Sequence, residues 1–157
     1  MKLYTFGYEG LDLDPFLARL RAAGVRQLVD VRELPLSRKK GFSKRALAAA
    51  LTAHDIEYVH MPALGCPKPI RARYKLDRDW LRYEASFRAY LSTQASAVRT
   101  LAGLAKRKLV CLLCFEADYR LCHRSLVGRA AVACGAPRLA HLTPQTEILD
   151  APLRAAA

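Results

Sequence analysis

The residues best suited to chemistry crowd one stretch of the chain, Leu112-Leu113-Cys114-Phe115-Glu116-Ala117-Asp118-Tyr119-Arg120-Leu121-Cys122-His123-Arg124. An apolar run there gives way to Glu116, and Cys122-His123-Arg124 opens a helical pattern. A carboxylate therefore sits at a strand end, and three polar side chains sit at a helix start. Free backbone N–H groups at such a start favour an anion, and Arg124 can add a two-pronged contact. Glu116 and His123 are groups able to exchange protons with a substrate. The plainer reading is a Glu116–Arg124 pair closing the turn, with Cys122 filling the core.

Two other stretches carry similar chemistry. Asp30 and Arg32 are two apart on a predicted strand and share a face. Either they pair, or Asp30 orients Arg32 toward a ligand. Ser37-Arg38-Lys39-Lys40-Gly41-Phe42-Ser43-Lys44-Arg45 holds five cations, one aromatic and a glycine. That composition suits a nucleic-acid backbone, or else a solvated charge run. Gly7-Tyr8-Glu9-Gly10 follows the first apolar run. These stretches nominate Glu116, His123, Asp30 and Cys122 for catalysis. They nominate Gly7, Tyr8, Glu9, Arg32, Ser37, Arg38, Lys44 and Arg124 for holding a substrate or anion.

Cysteine chemistry is the main alternative. Cys114 to Arg120 fits a Cys-x5-Arg anion loop, as in phosphatases and sulfur-transfer enzymes. However, Glu116 and Asp118 put negative charge where the anion would sit, and the loop lacks glycine. A metal site is expected to be absent. Cys111 and Cys114 lie three apart on a strand and point to opposite faces, and adjacent Cys122 and His123 would seldom hold one ion. Core packing is the better role for them. No cofactor is expected either, since Gly7 and Gly10 do not make the Gly-x-Gly-x-x-Gly turn.

Hydrophobic patterning supplies the elements that must position these groups. It predicts strands at Leu3 to Phe6, Gln27 to Val31, Glu57 to His60, Leu109 to Phe115 and Arg138 to Leu142. Asp14-Pro15 is expected to start one helix, with Leu13, Phe16, Leu17, Leu20 and Ala23 recurring at helical spacing. Ser43 is expected to cap a second. Met61 to Tyr74, rich in proline, reads as a long loop. Trp80, Leu81, Glu84, Phe87, Tyr90 and Leu91 suggest a helix with an aromatic stripe. Ala97 to Ala105 and His123 to Cys134 suggest two more. The Leu109–Phe115 run is apolar on both faces, as a central parallel strand requires. The fold predicted is a single-domain, three-layer α/β architecture, an open and mostly parallel sheet with helices on both faces. Each polar cluster follows a predicted strand, and His141 closes the last. In such sheets ligands bind outside the carboxyl ends of the strands.

Composition bounds the partners. The 157 residues carry 26 Lys+Arg against 14 Asp+Glu, a net charge of +12. That field attracts polyanions, or reflects an ordinary basic surface. Nucleic acid or a nucleotide phosphate is the expected partner, and a membrane is not, since no apolar run approaches ~18 residues. The start of the chain lacks a signal-peptide pattern and the five cysteines are an odd number. A reduced, cytoplasmic setting is therefore expected. A non-catalytic module for nucleic acid or protein interaction is the remaining alternative.

The combination Thr5-Phe6-Gly7-Tyr8-Glu9-Gly10, Leu28-Val29-Asp30-Val31-Arg32, Pro35-Leu36-Ser37-Arg38, Gly41-Phe42-Ser43-Lys44, Tyr58-Val59-His60-Met61-Pro62-Ala63-Leu64-Gly65 and Cys114-Phe115-Glu116 with Cys122-His123-Arg124 resembles the DUF488 family. The resemblance runs in order from about residue 3 to 141. Many relatives carry Gly-His-Ser after the first strand. Gly7-Tyr8-Glu9 here resembles a Gly-Tyr-Glu-Gly branch, so a role for that histidine or serine does not carry over. The resemblance implies an α/β fold and a shared site at Asp30, Arg32, Ser37, Glu116, Cys122, His123 and Arg124. It implies no established reaction.

Overall fold

The computed structural model describes residues 1–151. Strands β1 (Lys2–Gly7), β2 (Gln27–Asp30), β3 (Glu57–His60), β4 (Val110–Cys114), β5 (Arg138–Leu142) and β6 (Glu147–Leu149) form one sheet in the order β3-β2-β4-β1-β5-β6. β1 to β5 are parallel, and β6 returns antiparallel to β5. The α-helices among the described residues are α1 (Leu13–Ala22), α2 (Lys44–Thr52), α3 (Lys68–Asp77), α4 (Trp80–Ser92), α5 (Ala95–Arg107) and α6 (His123–Ala133).

Strand alternation divides the interior in two. Leu28, Cys111, Leu113 and Phe6 pack against Phe16, Leu17 and Leu20 of α1 and Leu47 and Leu51 of α2. Leu3, Val29, Val110 and Leu112 pack against α4, α5 and α6 through residues such as Phe87, Leu101 and Val127. The sheet is thus covered on both faces, and β4, central between β1 and β2, is buried along its whole length.

Several expectations change in detail. The residue before α1 is Asp12, so Asp14 and Pro15 lie inside the first turn. Ser43 does precede α2, but its hydroxyl does not cap the helix. It donates to the Ser37 carbonyl and accepts from the Ser37 N–H, tying off the basic loop. The stripe on α4 is Tyr83, Phe87 and Leu91, whereas Leu81 is exposed. The largest difference is in Met61 to Tyr74. A short 3-10 turn at Pro62–Leu64 and then α3 replace the long loop. Pro67 precedes α3 and Pro69 lies in its first turn, where a missing N–H costs no helical bond. Gly65 lets this connection lie on β2's loop, because a Cβ there would meet the Glu33 nitrogen at 2.4 Å.

Candidate functional site

The loops after β1, β2, β3 and β4 surround one cleft of about 800 Å³, walled on one side by α3. The expected convergence of these loops is present. The loop after β5 is not part of it.

Gly7 ends β1 against the β4 loop. A Cβ there would lie 1.8 Å from the Glu116 carbonyl oxygen, so the position demands glycine for backbone approach. Tyr8 and Glu9 then donate main-chain bonds to Cys114 and Phe115 at 3.3 and 2.8 Å. The Glu9 carboxylate accepts from the Ala117 N–H at 2.9 Å. Tyr8 stacks on Phe42 with ring centroids 4.4 Å apart. Gly7 is therefore a packing glycine, while Tyr8 and Glu9 line the cleft.

Asp30 and Arg32 do pair, and Arg32 also lines the cleft. Arg32 donates from Nε and Nη2 to the two Asp30 oxygens at 2.9 and 2.7 Å. Tyr58 adds a hydroxyl donor to Asp30 at 2.6 Å. Asp30 is fully buried, and both of its oxygens are engaged, by Arg32 and Tyr58. Burial would favour neutral Arg32, but the Asp30 carboxylate holds it charged, with its pKa above the ordinary value. The remaining Nη1 donates to the Tyr8 hydroxyl at 3.0 Å.

The cleft floor brings together the ends of β4 and α6. Cys114 is the last residue of β4, and Cys122 and His123 start α6. The Glu116 Oε2 lies 3.3 Å from both sulfurs. The His123 Nδ1 lies 3.8 Å from the Cys114 Sγ and 4.0 Å from that of Cys122. Phe87 closes on the imidazole edge-on. Glu116 as a residue stays exposed, yet its carboxyl turns onto the sulfurs. Lost hydration there, followed by Cys122, pushes it up to about 7. Burial would raise the Cys122 thiol, but Cys114, the Arg124 charge and His123 hold it well below its ordinary value. His123 is raised against burial, chiefly by Cys122. Cys114 is pushed up, first by its bond to Cys122 and then by burial. Cys114 and His123 reach the cleft surface, and Cys122 lies behind them.

Arg124 does not line the cleft. It is fully buried, and its guanidinium holds the Glu116 and Ala117 carbonyls and the Thr5 hydroxyl. Nor does it pair with the Glu116 carboxylate, as the plainer reading had it. Thr5 in turn meets His141 Nδ1 at 2.7 Å, and His141 Nε2 meets Asp150 at 2.9 Å. His141 is thus buried inside the sheet under Tyr119. The Cys-x5-Arg loop also fails, since the Arg120 side chain is exposed and bound to Asp118.

On the rim, Ser37 and Arg38 line the cleft, and Lys44 lies outside it. The Ser37 hydroxyl accepts from the Lys39 N–H at 3.0 Å. Pattern reading missed Arg71, Lys75 and Arg78, because the segment carrying them read as loop into helix rather than as a wall. It also missed the partnership of Cys114 with Cys122 and His123. The spacing argument ruled out Cys111 with Cys114, which do face opposite layers, and it also set aside Cys122 with adjacent His123, which the structure brings together with Cys114.

An open, mostly parallel three-layer α/β domain with a polar cleft over its strand ends is the class these features define. The chain belongs to the DUF488 family, a domain of unknown function, whose family model matches residues 12–131. No curated protein and no solved structure matched the chain. No helix among the described residues is long and apolar enough to cross a membrane.

Proposed function

We propose that the cleft binds a phosphate-bearing ligand, a nucleotide or a nucleic-acid strand, with its phosphates on the rim. One observation carries this reading. Arg38 from the β2 loop and Lys75 and Arg78 from α3 and its C-cap line one cleft. Among the described residues, none of the three has a carboxylate within ion-pair reach. By contrast, Arg71 is neutralised by Glu33 at 3.2 Å. Uncompensated cations on a concave wall concentrate anions.

The lips are apolar. Leu34, Leu36, Phe115 and Leu121 are exposed large side chains that all border the cleft. Charged walls beside apolar lips suit a ligand with a planar apolar part and a phosphate. Calorimetric titration with nucleotides and with short single strands, repeated over a salt series, tests the reading. Affinity that falls steeply with salt supports it, and the tighter class of ligand identifies the substrate type. Absence of binding by both classes overturns it.

A further inference from the structure

We propose that Cys114, Cys122 and His123 form a zinc site at the cleft floor. The Sγ atoms and an imidazole nitrogen of the trio all lie within 4.8 Å of one another. With Zn–S near ~2.3 Å and Zn–N near ~2.0–2.1 Å, tetrahedral geometry sets neighbouring donors about 3.5–3.8 Å apart. The sulfur-to-nitrogen distances of 3.8 and 4.0 Å approach that spacing. The Glu116 oxygen, 3.3 Å from each sulfur, lies beside the trio without belonging to it.

The histidine is held as a ligand should be. His123 Nε2 lies 2.7 Å from the Val31 carbonyl oxygen. A carbonyl only accepts, so Nε2 carries the hydrogen and Nδ1 faces the sulfurs. An outward N–H held by a carbonyl is the usual support of a metal-bound imidazole.

Core filling does not explain the cluster. Cys111 shows what a packing cysteine looks like here: it sits among apolar residues, and its thiol reaches only the main-chain carbonyl of Leu112. Cys114 and Cys122 instead share a carboxylate and an imidazole. Charge is consistent too. Two thiolates balance the two positive charges of a zinc ion. Soft sulfur and imidazole donors select zinc over magnesium or calcium.

The site is independent of the anion reading. Its test is metal content of the purified protein together with cobalt(II) titration of metal-stripped protein. The expected result is one equivalent of zinc, and one equivalent of cobalt showing thiolate charge-transfer and tetrahedral d–d absorption that zinc abolishes. Cys122→Ser and His123→Gln should weaken cobalt binding by about 100-fold or more. Cys134→Ser, an exposed cysteine outside the cluster, should leave it unchanged. If those ligand variants misfold, alkylation of wild-type cysteines followed by mass spectrometry decides, since zinc should protect Cys114 and Cys122 selectively. Substoichiometric metal with no cobalt–thiolate band, or no protection of those two thiols, overturns the proposal.

Discussion

Asp30 and Arg32 form a two-pronged ion pair at the end of β2, at 2.9 and 2.7 Å, with both side chains withdrawn from solvent. Their separation of two residues puts both on one side of the strand end. The Asp30 oxygen also accepts from the Arg32 main-chain N–H at 3.1 Å. The pair is therefore a local brace, and through Tyr8 it fixes the cleft's inner wall.

Breaking that brace should be costly. Asp30→Asn leaves a buried guanidinium without its counter-charge and is expected to lower stability by about 3–5 kcal/mol. Tyr58→Phe removes one hydrogen bond and should cost about 1 kcal/mol. Urea unfolding of the two variants beside wild type measures both. Equal, small losses would show that the pair does not hold the wall.

Gly7→Ala should destabilise by about 3 kcal/mol or more, because its new methyl would overlap the Glu116 carbonyl. The β4 loop must move to relieve the overlap. Thermal melts report the loss, and the alkylation rate of Cys114 reports the displaced loop. An unshifted melt would mean that the strand ends are further apart.

Acid should weaken the fold through His141. Burial holds its pKa below the ordinary 6.5, against the pull of Asp150, while Arg124 and Arg129 oppose the proton. Thr5 and Tyr119 complete its surroundings. The unfolded chain therefore takes up this proton first. Stability contributed by the neutral ring is complete above pH 6.5 and declines as pH falls below it. Asp150 is also held below its ordinary 3.8, by Arg129 and His141 against burial. Its contribution declines at still lower pH. Melting temperature against pH should fall on the acid side, and Asp150→Asn should remove the lowest-pH part of the fall.

The rim should respond to charge and not to fold. Arg38→Ala, Lys75→Ala and Arg78→Ala are each expected to reduce phosphate-ligand affinity by about tenfold, with melting temperatures nearly unchanged. The triple variant should also flatten the dependence of affinity on salt. Calorimetry at two ionic strengths checks both.

The layers were legible because strand chemistry is local. Val110-Cys111-Leu112-Leu113-Cys114 is apolar without interruption, and only a strand covered on both sides tolerates that. α3 was hidden because Pro67 and Pro69 look like breakers until their place at a helix start is known. β6 is three exposed residues on an edge, with no apolar period to reveal it. Arg124 was misplaced because an arginine's residue type does not say whether it faces a ligand or three buried acceptors. The sulfur–imidazole cluster depends on how residues 115–121 fold back. Nothing in the seven residues between Cys114 and Cys122 announces that turn.

The carbonyl that receives the His123 N–H belongs to the main chain of Val31. No replacement of the valine side chain can delete that acceptor. The ring's tilt and its hydrogen position are thus written into the path of a strand, and mutational drift in neighbouring side chains leaves them in place. Only a change that displaces the tip of β2 or unwinds the first turn of α6 can rotate this imidazole.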